Sequence, residues 1–205
     1  MEIGIILASG ESTRFKSKIP KQLYKLNNRY LIEYSIKAMK LLSKIIIITN
    51  KKCYHKMLKL KYKYKKLEII CNDTKNRNET ILKSVEYIKK YNPKIIIIHD
   101  SARPYIKMRH IYNLLNFSKK YKYVQYCMKL TNGLGKIINK KVIPCNRDEY
   151  IELCSPICIN YKYISKTYDV NTIELFEKMD EDNVKYKLLY GSYKYLRKIT
   201  YINDV

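Results

Sequence analysis

The sequence predicts an α/β fold, a doubly wound and mostly parallel sheet with a projecting β-arm. Three observations predict it. Two runs of four isoleucines, Ile45 to Ile48 and Ile95 to Ile98, fall far short of the ~20 residues of a membrane span and have no polar alternation. Such runs are strands covered on both faces, the mark of a parallel sheet. Between and around them, short apolar runs alternate with segments of helical periodicity, which implies right-handed βαβ crossovers. After Thr131 the pattern changes to a weakly alternating stretch with Asn139-Lys140 at its middle, which reads as a hairpin.

Taken in order, Ile3 to Leu7 is a strand stopped by Ser9-Gly10, a tight loop. Leu31, Ile32, Ser35, Ala38, Met39 and Leu42 recur at helical spacing and predict a helix over about 30–42. Ile45 to Ile48 follows as a strand, and the polar stretch at about 51–62 is helix or loop. Leu67 to Cys71 is a strand, and Ile81, Leu82, Val85 and Ile88 mark a helix closed before Pro93. Ile95 to Ile98 is the next strand, a helix covers about 107–119, and Val124 to Met128 is a strand. Lys136 to Pro144 forms the arm, at about 133–146. Glu174, Leu175, Phe176 and Met179 predict a late helix after Asp169, a suitable N-cap. Lys185 to Tyr190 and Lys198 to Thr200 close the chain as strands.

The 205 residues suit one domain, 1–205, large enough to bury a core without disulfides. Hydrophobic residues make up 46%, which argues against disorder. No basic N-terminal stretch precedes a long apolar run, so a cytoplasmic location is expected, with no membrane partner. The six cysteines contain no C-x-x-C pair, and the three histidines lack zinc-ligand spacing. Forty-two Lys plus Arg against 18 Asp plus Glu give a net charge of +24. That excess attracts polyanions or phosphorylated small molecules. Yet 35 of the 42 are Lys, in a chain also rich in Ile, Asn and Tyr, so much of the charge reads as compositional, on solvated faces such as Lys61 to Lys66. A nucleic-acid-binding protein, with some of the 22 Tyr stacking bases, is the rival from another class. No basic stripe with regularly placed aromatics supports it, and nucleic acid is not the expected partner.

The chemistry concentrates after the first strand, in Ala8-Ser9-Gly10-Glu11-Ser12-Thr13-Arg14-Phe15 and then Pro20-Lys21-Gln22. This is neither a P-loop nor a dinucleotide fingerprint. Small residues nevertheless let backbone N–H groups approach a triphosphate, and Arg14 and Lys21 add fixed positive charge. A carboxylate, Asp100, ends a buried strand, where open α/β sheets bind ligands.

Leu7-Ala8-Ser9-Gly10-x-Ser12-x-Arg14 with Pro20-Lys21-Gln22 resembles the signature of the sugar nucleotidyltransferases. Within these, the chain is most similar to the branch of 2-C-methyl-D-erythritol 4-phosphate and ribitol-5-phosphate cytidylyltransferases. His99-Asp100-Ser101-Ala102-Arg103-Pro104 is the most specific further match, followed by Arg77-Asn78-Glu79-Thr80-Ile81, Arg147 eight residues before Ser155-Pro156, and Lys198-Ile199-Thr200-x-x-x-Asp204-Val205. The resemblance implies a nucleotide-diphospho-sugar transferase-like fold and transfer of CMP from CTP to a polyol phosphate, of the ribitol or methylerythritol type, with Mg²⁺. It implies catalytic roles for Arg14, Lys21 and Lys198, and nucleotide contacts from Ala8, Ser9, Gly10, Thr80, Asp100 and Ala102. Asp100 would hold the metal. Arg103, Thr131 and Arg147 would contact the acceptor, with Arg147 reaching across a homodimer formed by the arm. Four of the seven arginines, Arg14, Arg77, Arg103 and Arg147, fall in these motifs, as expected where a fork-shaped phosphate contact resists drift to Lys.

The chain departs from the pattern in places. Ser12 stands for a second glycine, Asp73-Thr74 for a glycine pair, Leu130 for an aspartate, and Ile157 for a glutamine. Lys194 or Tyr195 takes the place of a second metal-binding aspartate. These losses leave a catalytically impaired relative, kept for binding, as a further alternative.

Overall fold

In the computed structural model, which describes residues 1–74, 76–168, 179 and 182–205, strand β1 (Glu2–Ala8) lies inside a seven-stranded sheet. Parallel neighbours β4 (Lys44–Thr49) and β6 (Ile95–Asp100) flank it. The order is β11-β7-β10-β6-β1-β4-β5, with β5 at Leu67–Cys71, β7 at Tyr123–Lys129, β10 at Ile151–Asn160 and β11 at Tyr186–Tyr190. Ile45 to Ile48 and Ile96 to Ile98 are each 2% exposed or less, so both isoleucine runs are buried from two sides. Each such side chain contributes roughly 1.5–3 kcal/mol of burial.

Alternate residues of β1 divide the core. Ile6 and Ala8 face α1 (Leu31–Ala38), α2 (Lys51–Leu58) and α5 (Met108–Phe117), while Ile3 and Ile5 face α4 (Arg77–Ile88) and α6 (Tyr161–Thr167). Gly4 is required by the first face. A Cβ there would lie 2.7 Å from the sulfur of Met39 and 2.8 Å from Leu42, which cap the turn after α1. A short hairpin, β2 (Lys25–Leu26) and β3 (Arg29–Tyr30), leads into α1, and α3 (Leu60–Lys63) follows α2.

The arm is present as β8 (Leu134–Ile138) and β9 (Lys141–Cys145), antiparallel. Asn139 and Lys140 both have positive φ, 49° and 63°, as a two-residue hairpin turn demands. Two readings need correction. Lys198 to Thr200 forms no strand among the described residues; a short helix, α7 (Tyr193–Leu196), precedes it. Strand β10 escaped the sequence because Pro156 interrupts its apolar run. The pairing with β7 shifts register between Cys154 and Ile157, and that irregularity accommodates the proline inside a sheet. β10 also runs antiparallel to β6 and β7, so the sheet is mostly rather than wholly parallel. The predicted helix at 174–179 lies outside the described residues, apart from Met179, which is buried.

Candidate active site

The C-terminal ends of β1 and β6 stand side by side, with Leu7 in register with Asp100. A cavity of about 610 Å³ opens above them. It is lined by Ala8, Ser9, Gly10, Arg14, Lys21, Thr80, Asp100, Ala102 and Lys198, so nine of the residues expected at the site converge. They come from four separated stretches of chain.

The loop after β1 is held from below. The buried Gln22 side chain donates from Nε2 to the Ala8 carbonyl at 2.8 Å and to the Gly10 carbonyl at 3.3 Å. Asn50, which also caps α2, donates to the Ser9 carbonyl at 2.9 Å. Ser12 adopts φ 61°, a left-handed conformation that costs a non-glycine residue about 1–2 kcal/mol. Its hydroxyl offsets the strain by donating to Gln22 Oε1 at 3.1 Å and accepting from the Lys21 amide at 3.3 Å. Serine therefore stands in for glycine by tying the loop to the Pro20-Lys21-Gln22 turn. Gln22 stood in the matched Pro20-Lys21-Gln22 segment without a role of its own, and Asn50, at the end of the Ile45 to Ile48 strand, carried no signal beyond being a polar residue able to cap a helix.

Asp100 is the electrostatic centre. Arg77 Nε lies 3.6 Å from Oδ1, and Lys198 Nζ 3.5 Å and Arg103 Nε 4.0 Å from Oδ2. Burial alone would raise its pKa, but Arg77, then Lys198 and Arg103, outweigh burial and hold it down to about 2. Its backbone is fixed too. The Asp100 amide donates to Ser155 Oγ at 3.0 Å, and Ser155 lies 3.2 Å from His99 Nδ1. His99 Nε2 faces the Arg103 carbonyl at 3.2 Å, an acceptor only, which assigns the proton to Nε2 and leaves Nδ1 to accept from Ser155. Burial lowers the His99 pKa to about 4, so the ring is neutral.

Lys21 projects into the cavity, donating to the Ile199 carbonyl at 2.7 Å. Burial first, then Lys198 and Arg14, lower its pKa to about 8, against the opposing pull of Asp100 and Asp204. At the other end, hydroxyls gather: Thr80 Oγ1 lies 2.5 Å from Thr74 Oγ1 and 3.2 Å from Ser9 Oγ.

Three expected residues are elsewhere. Arg103, expected at the acceptor, is 5% exposed and lies behind Asp100. Its Nη1 donates to the Leu196 carbonyl, and its Nη2 is 3.5 Å from Glu152. This is a correction: the guanidinium braces the carboxylate and the C-terminal segment instead of facing the cavity. Thr131 and Arg147 meet each other, Arg147 Nη1 donating to the Thr131 carbonyl at 2.6 Å. They do so at the foot of the arm, where Thr131 lines a separate depression with Glu152, Tyr190 and Tyr193.

The profile of the family described as IspD, 2-C-methyl-D-erythritol 4-phosphate cytidylyltransferase, matches residues 3–200. The chain belongs to this family. A bifunctional enzyme IspD/IspF of Pelagibacter ubique is 31% identical over 183 residues, covering 88% of this chain and 48% of that relative. A 2-C-methyl-D-erythritol 4-phosphate cytidylyltransferase of Thermosipho melanesiensis is 28% identical over 190 residues, 89% of this chain and 82% of its own. Among solved structures, the 4-diphosphocytidyl-2C-methyl-D-erythritol synthase of Anaerococcus prevotii superposes with a TM-score of 0.81, over 99% of this chain and 92% of its own, at 20% identity. That likeness establishes the shared nucleotidyltransferase fold.

For a cytidylyltransferase, the donor set for a metal is sparse. Among the described residues no three His, Cys, Asp or Glu side chains cluster to hold an ion. Neither Lys194 nor Tyr195 supplies a carboxylate, and Tyr195 packs against His110 and beneath Arg109. Two carboxylates line the cavity, the exposed Glu11 and Asp100, and Asp100 is the one set amid cations. That set fits Mg²⁺, which commonly binds through one or two carboxylates, with substrate phosphates and water completing its shell. It does not fit an ion caged by protein alone.

Proposed function

We propose that this protein transfers CMP from CTP to 2-C-methyl-D-erythritol 4-phosphate, releasing pyrophosphate, and that it works as a homodimer with Mg²⁺. The observation that carries the reading is the convergence of Arg14, Lys21, Arg77 and Lys198 on one cavity at the strand ends, where Asp100 is largely shielded from solvent and paired with Arg77 and Lys198. A phosphate oxygen of the acceptor attacks the α-phosphorus of CTP, the new P–O bond forms, and the bond to the β-phosphate oxygen breaks. The acceptor phosphate is already ionised near neutral pH, so no protein nucleophile or base is required. Catalysis is positioning plus stabilisation of charge on the α-phosphate and the leaving group. Lys21 and Arg14 supply that charge from the first loop, and Lys198 supplies it beside Asp100. Asp100 would hold Mg²⁺, which when bound offsets charge between neighbouring phosphates.

The loop amides at Ser9 and Gly10 suit close approach of phosphate, and the Ser9, Thr74 and Thr80 hydroxyls suit the polar edge of a base. Homodimerisation is supported by the arm, whose Ile137, Val142 and Ile143 are 73%, 70% and 47% exposed. It is also supported by Thr131 and Arg147, which one protomer leaves apart from its own cavity. Pyrophosphate release from CTP and Mg²⁺, measured with methylerythritol phosphate and with ribitol 5-phosphate, tests the reading. Methylerythritol phosphate should be preferred. A tenfold preference for ribitol 5-phosphate, ~1.4 kcal/mol, would reassign the acceptor, and a like preference for another nucleotide would reassign the donor.

A further inference from the structure

The segment after α7, residues 197–200, is held over the cavity without being part of any sheet. The Ile199 amide donates to the Ala102 carbonyl at 2.8 Å, and the Ile199 side chain is fully buried with Phe15 and Leu31. Arg197 stacks on Tyr105, its guanidinium carbon 4.3 Å from the ring centre. This alternation explains why the segment reads as a strand in sequence: Ile199 points down into the small cluster, while its neighbours Lys198 and Thr200 line the cavity. The Ile199 carbonyl meets Lys21 Nζ, 178 residues distant in sequence, at 2.7 Å. Just beyond, the chain turns back through a short 3-10 helix at Ile202–Asp204. Asp204 Oδ2 accepts from the Thr200 amide at 2.6 Å and from the Tyr201 amide at 2.8 Å. Asp204 is the only carboxylate in residues 197–205.

We propose that Asp204 is a positioning residue for Lys21: by gripping the two amides that follow Ile199, its carboxylate fixes the carbonyl that aims the Lys21 ammonium into the cavity. The proposal rests on the reading of Lys21 as a group that acts on the triphosphate. Each link is a contact between neighbours. Asp204 holds Thr200, Thr200 is bonded to Ile199, and Ile199 is anchored on its other side by Ala102. Without Asp204, two amides at the surface turn to water, and the main chain at 200–201 loses the carboxylate that holds both of them. The buried Ile199 side chain still holds the segment down, so the fold persists while the carbonyl gains freedom.

The test is steady-state kinetics with CTP, Mg²⁺ and methylerythritol phosphate on the full chain, for Asp204→Ala, Asp204→Asn, Lys21→Ala and the double variant Lys21→Ala/Asp204→Ala. Asp204→Ala should lower kcat by about tenfold, as expected when a charged contact is displaced by a fraction of an ångström. Asp204→Asn keeps an acceptor oxygen at the same reach and should recover most of that loss. In the Lys21→Ala background, Asp204→Ala should cost nothing further, because the group it positions is gone. Full activity in Asp204→Ala beside an impaired Lys21→Ala would overturn the proposal, as would losses that multiply in the double variant. No recovery with Asn would also count against the tether. If Lys21→Ala turned over like the parent, the catalytic assignment of Lys21 would fall first, and the role of Asp204 with it.

Discussion

Around the cavity, separate stretches of chain brace one another: Lys21 meets the Ile199 carbonyl, Gln22 and Asn50 hold the Ala8 and Ser9 carbonyls, and Arg77 pairs with Asp100. In the arm, β8 and β9 pair, among the described residues, only with each other, and Ile137 and Val142 stand 73% and 70% exposed. One region is finished within a single protomer. The other presents apolar surface that a soluble protein ordinarily covers. Under the proposed function the contrast would divide the reaction: the nucleotide groups are assembled locally, whereas Thr131 and Arg147, at the foot of the arm, would need a second protomer's cavity. Predictions that break one region should therefore leave the other standing.

The largest effects belong to the cavity. Arg14→Ala and Lys21→Ala should each lower kcat by ~10²-fold or more, since each cation acts on charge that appears in the transition state, and one charge-assisted contact of ~3 kcal/mol corresponds to that factor. Arg14 is an exposed loop residue, so its loss should change stability by about 0.5 kcal/mol or less. Lys61→Ala, on the exposed face of α3, removes the same unit of charge and should change neither quantity. Equal and small losses at all three positions would mean that the +24 charge acts only as a diffuse attractant.

Next come the residues at the foot of the arm. Arg147→Ala should raise KM for the polyol phosphate by about tenfold or more, the cost of one charged contact to phosphate, with little change in KM for CTP. Mixing it with Arg14→Ala should restore part of the activity through hybrid dimers, because one of the two sites in each hybrid then combines an intact cavity with an intact arm. No rescue despite proven subunit exchange would place both halves of the site in one protomer.

The arm itself is sharper still as a test of independence. Ile137→Asp combined with Val142→Asp places charge on surface that one protomer already exposes. Light scattering should report a monomer, while the unfolding temperature extrapolated to low protein concentration should match that of the parent. CTP binding, measured without acceptor, should stay within about threefold. A monomeric parent at micromolar concentration would remove the arm from the mechanism.

How much of this was legible follows from where the information lies. The isoleucine runs announced the buried strands because β-branched apolar continuity has few other uses, and the arm followed from Asn139-Lys140 between alternating residues. The first loop and Asp100 were legible because motif residues close in sequence remain close in space. Arg103 was not, since a fork-shaped cation beside a carboxylate reads the same whether it faces a substrate or, as here, a backbone carbonyl and Glu152 from behind. Nor was Lys63. It sat in a Lys-rich stretch that looked solvated, yet its ammonium lies 2.5 Å from the buried Glu33 carboxylate. Gln22 acts through the Ala8 and Gly10 carbonyls, 14 and 12 residues away, and no spacing rule reports such partners. Asp204 bonds amides only three and four residues away, but their link to Lys21 runs through the Ile199 carbonyl, which sequence spacing does not show.

The smallest expected effect is a displacement along the pH axis, and it separates the two regions without damaging either. Burial, then Lys198 and Arg14, bring Lys21 to about 8 in the free protein, and Asp100 and Asp204 limit the fall. Lys21 is useful as the ammonium, which is present below that value and lost above it. The kcat/KM for CTP should thus be level on the acid side of pH 8 and fall about tenfold between pH 7 and pH 9. In the nucleotide complex the triphosphate favours the charged form, so the limb in kcat should lie at higher pH. Stability should move the other way. The folded pKa lies below the unfolded one, so between about 8 and 10.5 the unfolded chain binds more protons, and this group makes the fold more stable as pH rises. A loss of activity at pH 9 is therefore not incipient unfolding at Lys21, and a thermal scan at that pH checks it. Arg147 is not among the charges that Lys21 feels, so Arg147→Ala should keep the limb at the same pH while raising KM for the acceptor. A limb that moved with Arg147 would show that an arm, the protomer's own or its partner's, reaches Lys21 electrostatically; a limb that moved equally in the monomeric Ile137→Asp/Val142→Asp background would assign it to the protomer's own arm, and the division between the two regions would have to be redrawn.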